Sequence, residues 1–404
     1  MQSLPSALFF SAMLRMSHIK LESGSEHAAE QTSLVELTLL FLRLGATGFG
    51  GPAAHIAMMQ DEVVRRRNWL SKEQFLDLLG ATNLIPGPNS TEMAIHIGWA
   101  RRRWAGLVSA GVAFILPAMF VTSVIGWAYV RYGSLPATGW ILYGVKPVMI
   151  GVVVQAIWGL ASQAIKTRWL GVLGLFAALL CAVGVDELSV LFGAGLAAVC
   201  GARITPGRRS AAAASPLPWF APAVAAAGAG TAVTMPALFW VFFKTGSVLF
   251  GSGYVLLAFL RADLVERLGW LSEAQLVDAI AVGQITPGPV FTTATFIGYV
   301  LSGPRGALIA TAGIFLPAFC FVALSGPLVP HIRASARAAA FLDGVNVASL
   351  ALMAVVTAQL ARAALVDIPT LVLGVVAAVL LVRFKLNSSW LVLGGAFAGW
   401  ALHA

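Results

Sequence analysis

Trp69-Leu70-Ser71 recurs as Trp270-Leu271-Ser272, and the same offset of 201 residues carries Phe49-Gly50 onto Phe250-Gly251, Gln74 onto Gln275 and Asp77 onto Asp278. It also carries Pro86-Gly87-Pro88 onto Pro287-Gly288-Pro289. After a one-residue slip, Gly98 pairs with Gly298, Gly106 with Gly306, and Leu116-Pro117-Ala118 with Leu316-Pro317-Ala318. The register continues through Gly144-Val145 with Gly344-Val345 and Val172-Leu173-Gly174 with Val372-Leu373-Gly374. Chance matching in Ala- and Leu-rich sequence scatters; it does not align three distinctive motifs in order. The chain therefore folds as two homologous halves. The division expected is a tail at 1–33, a first repeat at 34–209, an Ala- and Pro-rich linker at 210–233 and a second repeat at 234–404. Residues 8–14 are apolar but short and run into Arg15, His18 and Lys20, which reads as a tail rather than a cleaved signal.

Each half is built for lipid. Of the 404 residues 59% are hydrophobic and 11% charged, too little charge for a soluble body of this size. The runs 104–130, 147–165, 169–185, 188–202, 210–243, 279–304, 306–330, 346–361, 368–382 and 386–402 carry no charge, and a crossing helix needs about 20 apolar residues. The 41 glycines, many inside these runs, suit close helix packing in a bilayer. The reading is an all-α polytopic membrane protein; a membrane barrel would show alternating ten-residue segments instead. The net charge of +9 then reflects cytoplasmic loops and anionic headgroups, and no nucleic acid is implied. Cys181, Cys200 and Cys320 lie in apolar runs, so neither a disulfide framework nor a metal cluster is expected, and no cofactor.

Charge also orients the halves. In the first, one set of connections carries Arg65, Arg66, Arg67, Lys72, Arg101, Arg102, Arg103, Lys166, Arg168, Arg203, Arg208 and Arg209, while the other carries Arg131 beside Asp186 and Glu187. In the second half Arg267, Arg305 and Arg362 are offset by Glu266, Glu273 and Asp367, and the basic excess moves to Arg333, Arg337, Arg383 and Lys385 on the other set. Positive charge marks the cytoplasmic side, so the halves are expected to be inverted repeats. That architecture belongs to secondary transporters, with substrate bound near the midplane between the repeats. Whether the linker crosses the membrane is left open by the sequence.

Two breaks per half sharpen the picture. Four glycines and Pro52 fall between Gly45 and Pro52, within an otherwise helical stretch from Leu34 to Val64. Pro86-Gly87-Pro88 interrupts a second stretch with about 13 helical residues on either side, each arm rising only about 20 Å. Basic residues flank both ends, which describes a re-entrant hairpin. Irregular backbone at membrane depth survives where protein buries it or a polar cavity solvates it. After the breaks stand Asn89, Ser90, Thr91 and Glu92, and in the second half Thr292 and Thr293. A helix beginning there offers free N–H groups and the positive end of its dipole, a ready anion site. The plain alternative is a structural kink with ordinary hydroxyl capping, less economical once the motif occurs twice. Glu92 and His96, four apart on one face, are candidates for proton coupling, or for a satisfied contact near the cytoplasmic mouth. Arg43 and Lys244, equivalent cations just before the glycine breaks, and Lys146, whose repeat mate is Asn346, either face the anion path or anchor helix ends. His55 reads as a core histidine. No nucleophile–base, paired-carboxylate or metal-spaced constellation supports an enzyme.

With these residues in hand, the sequence resembles the chromate ion transporter family in its long two-domain form. The resemblance rests on Phe49-Gly50-Gly51-Pro52, Trp69-Leu70-Ser71, Asn83-Leu84-Ile85-Pro86-Gly87-Pro88 and Leu116-Pro117-Ala118. The second half adds Phe250-Gly251, Gln284-Ile285-Thr286-Pro287-Gly288-Pro289 and Leu316-Pro317-Ala318, so that 34–402 is covered. It implies export of chromate, with sulfate as a close mimic, across the bacterial inner membrane. Gly51, Asn83 and Gln284 join the residues above as the implied substrate path. Gly251-Ser252-Gly253 stands where the first half has Gly50-Gly51-Pro52, so the two breaks are not expected to act identically. An anion channel or a sulfate-type uptake carrier are the alternatives. Export of a dianion from a negative-inside cell is favoured by about 4.6 kcal/mol per 100 mV, twice the single-charge value. The partners expected are the oxyanion and the lipid bilayer; whether the chain works alone or as a homodimer the sequence leaves open.

Overall fold

The computed structural model describes residues 32–49, 51–133, 136–202, 232–249, 255–384, 386 and 388–403. The tail to residue 31, nearly all of the linker, Gly50, Gly251 and Lys385 lie outside them. Every regular element described is helical.

The first half opens with α1 (Leu34–Thr47), capped by Ser33, whose hydroxyl accepts from the Glu36 N–H. The chain breaks at Gly48 and resumes as α2 (Gly51–Gln60), which ends in a π-helical turn, Asp61–Arg66. The Trp-Leu-Ser motif then has a structural reason. The N–H groups of Trp69 and Leu70 both donate to the Val63 carbonyl, and Ser71 forms a reciprocal capping box with Gln74 that starts α3 (Lys72–Thr82). After the Pro-Gly-Pro tip comes α4 (Asn89–Tyr132), then α5 (Pro136–Ala164), α6 (Arg168–Ala182) and α7 (Glu187–Ala202). The second half repeats the plan with α8 (Met235–Val248), α9 (Leu256–Leu260) with its π-helical turn Arg261–Arg267, and α10 (Glu273–Ile285). A 3-10 turn, Val290–Thr292, leads into α11 (Thr293–Ala334), followed by α12 (Ala336–Ala364), α13 (Ile368–Phe384) and α14 (Ser388–Ala401). Its Trp270-Leu271-Ser272 makes the same bonds, to the Leu264 carbonyl and in a Ser272–Gln275 capping box.

Among the described residues, four helices are long and apolar enough to cross a membrane: Asn89–Tyr132, Gly139–Ser162, Val290–Ser325 and Ala336–Ala364. Two of them are folded on themselves. Helix α4 leaves helical geometry at Arg102 and Arg103, and α11 at Ser302 and Gly303. A Cβ on Gly98 would lie 2.2 Å from the Gly106 carbonyl oxygen, and one on Gly298 would lie 2.3 Å from that of Gly306. Residues eight apart on a straight helix stand about 12 Å apart, so the chain has doubled back. Thr295 and Thr311, sixteen residues apart, meet hydroxyl to hydroxyl at 2.7 Å. The first 13 residues of α4 are thus the return arm of a re-entrant hairpin, and only 104–132 crosses. For the same reason the uncharged run 279–304 is not a span: it contains the second tip and its return arm.

The crossing segments of α4 and α11 run antiparallel. Gly111 lies against Phe319, Gly126 meets Tyr299 at the end of the α11 return arm, and an apolar groove of about 620 Å³ opens between Trp104 and Val108 on one and Cys320 and Leu324 on the other. Antiparallel packing of equivalent helices is what an inverted repeat produces. Two further contacts repeat under the same symmetry. Lys166, after α5, pairs with Asp343 near the start of α12 at 2.5 Å, and Asp367, after α12, accepts from the Tyr143 hydroxyl near the start of α5 at 2.7 Å. The short hairpins are exchanged as well. Gly344 of α12 sits against the Ala194 carbonyl of α7, while Gly144 of α5 sits against the Gly395 carbonyl of α14. Each half covers the long helix of the other.

Candidate functional site

The two breaks of each half meet the two breaks of the other. The Gly87 N–H donates to the Leu249 carbonyl at 2.8 Å, and the Gly288 N–H donates to the Gly48 carbonyl at 2.8 Å. Gly48 and Leu249 are equivalent positions, each the last described residue but one, or the last, before its glycine break. The Pro-Gly-Pro tip of one half is therefore pinned to the broken helix of the other, twice, around the pseudo-two-fold axis. Gly87 has φ +140° and Gly288 φ +90°, backbone that favours glycine. A Cβ on Gly288 would stand 2.8 Å from that of Ala118, and one on Gly87 3.6 Å from that of Ala318. The repeated Leu-Pro-Ala motif thus supplies the small residue against which the opposite tip rests.

His55 strengthens one side of this crossing. Its Nε2 is 2.9 Å from the Gly48 carbonyl, the acceptor that also holds Gly288, and its ring meets Phe114 edge-on. It is buried, as a core histidine should be, but its work is to hold the break. The equivalent residue is Leu256.

Around the tips the polar residues are enclosed. Ser90, Thr91, Thr292 and Thr293 are all buried. Thr292 and Thr293 donate their hydroxyls to the carbonyls of Pro289 and Val290 at 2.8 Å each, whereas the Thr91 hydroxyl has no hydrogen-bond partner among the described residues. Asn89 donates to the Asn83 side chain at 2.9 Å, bridging the two arms across the first tip. Gln284, the mate of Asn83, is buried at the second. Glu92 is fully buried, and among the described residues neither of its oxygens nor His96 Nε2 has a hydrogen-bond partner. The direct Glu92–His96 contact anticipated from their spacing is therefore not made. Instead Glu92 Oε1 lies 2.3 Å from where a Cβ on Gly87 would stand, which puts its carboxyl beside the tip. Gly51 has φ +78° with nothing within 4 Å of its ideal Cβ, so it is backbone conformation, not lack of room, that calls for glycine there.

The three cations each have an acid. Arg43 pairs with Glu62 at 2.6 Å and Lys244 with Asp263 at 2.5 Å. These are the same contact in the two halves, joining the helix before the break to the π-helical turn after it. Lys146 pairs with Asp278 of the other half at 3.1 Å, and Asp278 also accepts from the Tyr129 hydroxyl at 2.8 Å. Lys146 is neither a snorkelling anchor nor an unpaired cation. Glu62, Asp263, Asp278 and Tyr129 were not singled out from sequence, although the offset of 201 that aligns Arg43 with Lys244 also aligns Glu62 with Asp263. Of the basic clusters, Arg101 is buried, donating to Thr32 Oγ1 at 3.0 Å and to the Trp69 carbonyl at 3.2 Å. It serves the loop as much as the membrane surface.

The chromate transporter family matches this chain twice, over residues 35–202 and 236–400. The chain belongs to that family. A chromate transport protein of Cupriavidus metallidurans is 36% identical over 385 residues, covering 93% of this chain and 94% of its own length. The chromate transport protein of Pseudomonas aeruginosa is 31% identical over 396 residues, with 94% and 95% covered. A probable chromate transport protein of Synechococcus elongatus is 31% identical over 372 residues, with 90% and 92% covered. No solved structure matches the chain. A member of the chromate transporter family is a membrane transport protein, not an enzyme. With its long apolar helices this one is a multi-pass membrane protein, and helical rather than barrel construction is that of the bacterial inner membrane.

Proposed function

We propose that the protein is a secondary carrier that exports chromate, and accepts sulfate-like oxyanions, at the crossing of its two Pro-Gly-Pro tips. The observation that carries this reading is the reciprocal pair of tip-to-break hydrogen bonds, Gly87 to Leu249 and Gly288 to Gly48. They tie the tip before each return arm to the broken helix of the opposite half, which supports a shared site between the two arm N-termini. A tetrahedral dianion has four oxygens, and donors converging from two helix starts suit it better than a single salt bridge. Asn83, Pro86, Pro88, Asn89, Ser90 and Thr91 form the first side of this site, and Gln284, Pro287, Pro289, Thr292 and Thr293 the second. Gly51 belongs to the first break, Gly50 and Gly251, outside the described residues, are assigned to the same path from the sequence, and Arg43, Lys244 and Lys146 lie along it. Residues 34–209 and 234–404 act as the two moving units. The enclosure of the tip residues supports a carrier over an open pore, because a pore would leave its narrowest polar ring wet.

Flux of radiolabelled chromate in vesicles of defined orientation tests the proposal. Saturable chromate movement out of the cytoplasmic face, competed by excess sulfate, is expected. Conductance far above carrier rates would point to a channel, and flux indifferent to sulfate would remove the oxyanion site.

A further inference from the structure

The pairs Arg43–Glu62 and Lys244–Asp263 occupy equivalent positions but are not in equivalent states. In the first, the side chains are 52% and 10% exposed; in the second, 8% and 7%. A polar cavity of about 260 Å³ opens over the first pair, lined by Arg43, Thr47, Met58, Asp61, Glu62 and Arg66 among others. Thr47 is exposed there and stands next to Gly48, whose carbonyl holds the Gly288 tip. This opening lies between Arg66 and Thr47 and ends one residue short of the crossing. At the equivalent place in the second half Phe259 is buried where Met58 is half-buried, and Val248 is half-buried where Thr47 is exposed. The second bond to each acid is the same in both halves, Arg66 to Glu62 at 3.2 Å and Arg267 to Asp263 at 3.0 Å.

We infer that these two ion pairs are the two gates of the carrier, one on each face, and that the structure is the state with both pairs made, the first facing an opening to solvent and the second sealed. The argument rests on the carrier reading above and on symmetry. When inverted repeats rock about a fixed central site, equivalent elements on opposite faces take opposite states and exchange them as access switches. Each pair ties the helix before a break to a π-helical turn, and a single turn of that geometry inside an α-helix commonly marks a functional position. The tie lies within two turns of the carbonyl that pins the opposite tip, so parting it frees the tip on that side.

Cysteine accessibility tests the gates without reference to any substrate. Cys181, Cys200 and Cys320 are first changed to Ser, and Thr47→Cys and Val248→Cys are introduced separately as equivalent reporters. A membrane-impermeant thiol reagent should modify Thr47→Cys from the face bearing Arg65 and leave Val248→Cys protected from both faces. Adding Asp263→Asn to the Val248→Cys chain should raise its labelling from the opposite face about tenfold or more. The charge swap Lys244→Asp with Asp263→Lys should restore protection. Should Asp263→Asn express poorly, Lys244→Gln opens the same mouth by removing the other partner. Labelling of both reporters from one face, or unchanged Val248→Cys labelling in every gate variant, would overturn the inference. If the labelling pattern holds while chromate flux is absent, the substrate reading falls and the gates stand. If flux is normal and labelling does not respond, the reverse follows.

Discussion

Gly288→Ala measures directly how tightly the two halves are locked at their centre. Two costs apply. The backbone there has φ +90°, and a non-glycine residue held at positive φ costs about 1–2 kcal/mol. The added methyl would lie 2.8 Å from the Ala118 Cβ and 3.1 Å from the Gly45 carbonyl oxygen, and overpacking of this kind costs about 1–3 kcal/mol. The sum is about 2–5 kcal/mol, and the Gly288-to-Gly48 hydrogen bond is strained along with it. Gly51→Ala is the internal control. Its φ of +78° carries the same backbone cost, but with nothing within 4 Å the packing cost is absent, so about 1–2 kcal/mol is expected. Unfolding of purified protein in mixed micelles, titrated with a denaturing detergent, gives both values on one scale. The difference between the variants, about 1–3 kcal/mol, is the packing term alone. Equal losses in the two would show that the tip does not press on the Leu-Pro-Ala segment, and an unperturbed Gly288→Ala would show that the crossing is not formed as described.

Asp278→Ala leaves Lys146 unpaired in the membrane interior and should cost about 3–5 kcal/mol, with much of the loss recovered by adding Lys146→Met; a double-mutant cycle in the same unfolding assay reads the coupling, and additive losses would refute the pair. Thr91→Val should weaken chromate affinity by about 1–3 kcal/mol, since its hydroxyl is free to meet an anion, while Thr292→Val, already bonded to Pro289, should weaken it less. Binding measured by displacement of labelled chromate decides, and equal effects would remove the distinction. The Thr370 backbone N–H and the Tyr143 hydroxyl hold the Asp367 carboxyl below the ordinary carboxylate range. A depressed folded value stabilises at pH above the unfolded value, about 3.9, and that contribution disappears as pH falls through the folded value. Asp367→Asn should accordingly lower stability near neutrality, where the contribution is fully present, and flatten the acid limb of the stability curve below about pH 4, where the two chains converge. Cysteines placed at 65–67, 101–103 and 333–337 should all label from the cytoplasmic face; labelling of 333–337 from outside would break the inverted topology.

Much of this was legible in the chain itself, because a duplicated sequence carries its own alignment. The offset of 201 identified the halves, uncharged runs located the apolar helices, and Pro-Gly-Pro with short flanks marked the re-entrant tips. These are local signals: backbone that cannot continue a helix, and arms too short to cross about 30 Å of hydrocarbon. Partnership between segments is not local, and there the tertiary structure decided. Nothing in residues 86–88 says that Gly87 will donate to Leu249, more than 160 positions away, and nothing around Lys146 says that it will find Asp278 of the other half. The Glu92–His96 spacing satisfied helical geometry, yet the contact is absent because the carboxyl turns toward Gly87, where the missing side chain leaves room. The exchange of the α6–α7 and α13–α14 hairpins between halves is invisible for a deeper reason. Two homologous halves present nearly the same surfaces, so pattern alone cannot tell whether a hairpin packs on its own long helix or on its twin. Only the inverted, antiparallel crossing of α4 and α11 sets that choice, by bringing each half's hairpin within reach of the other's long helix.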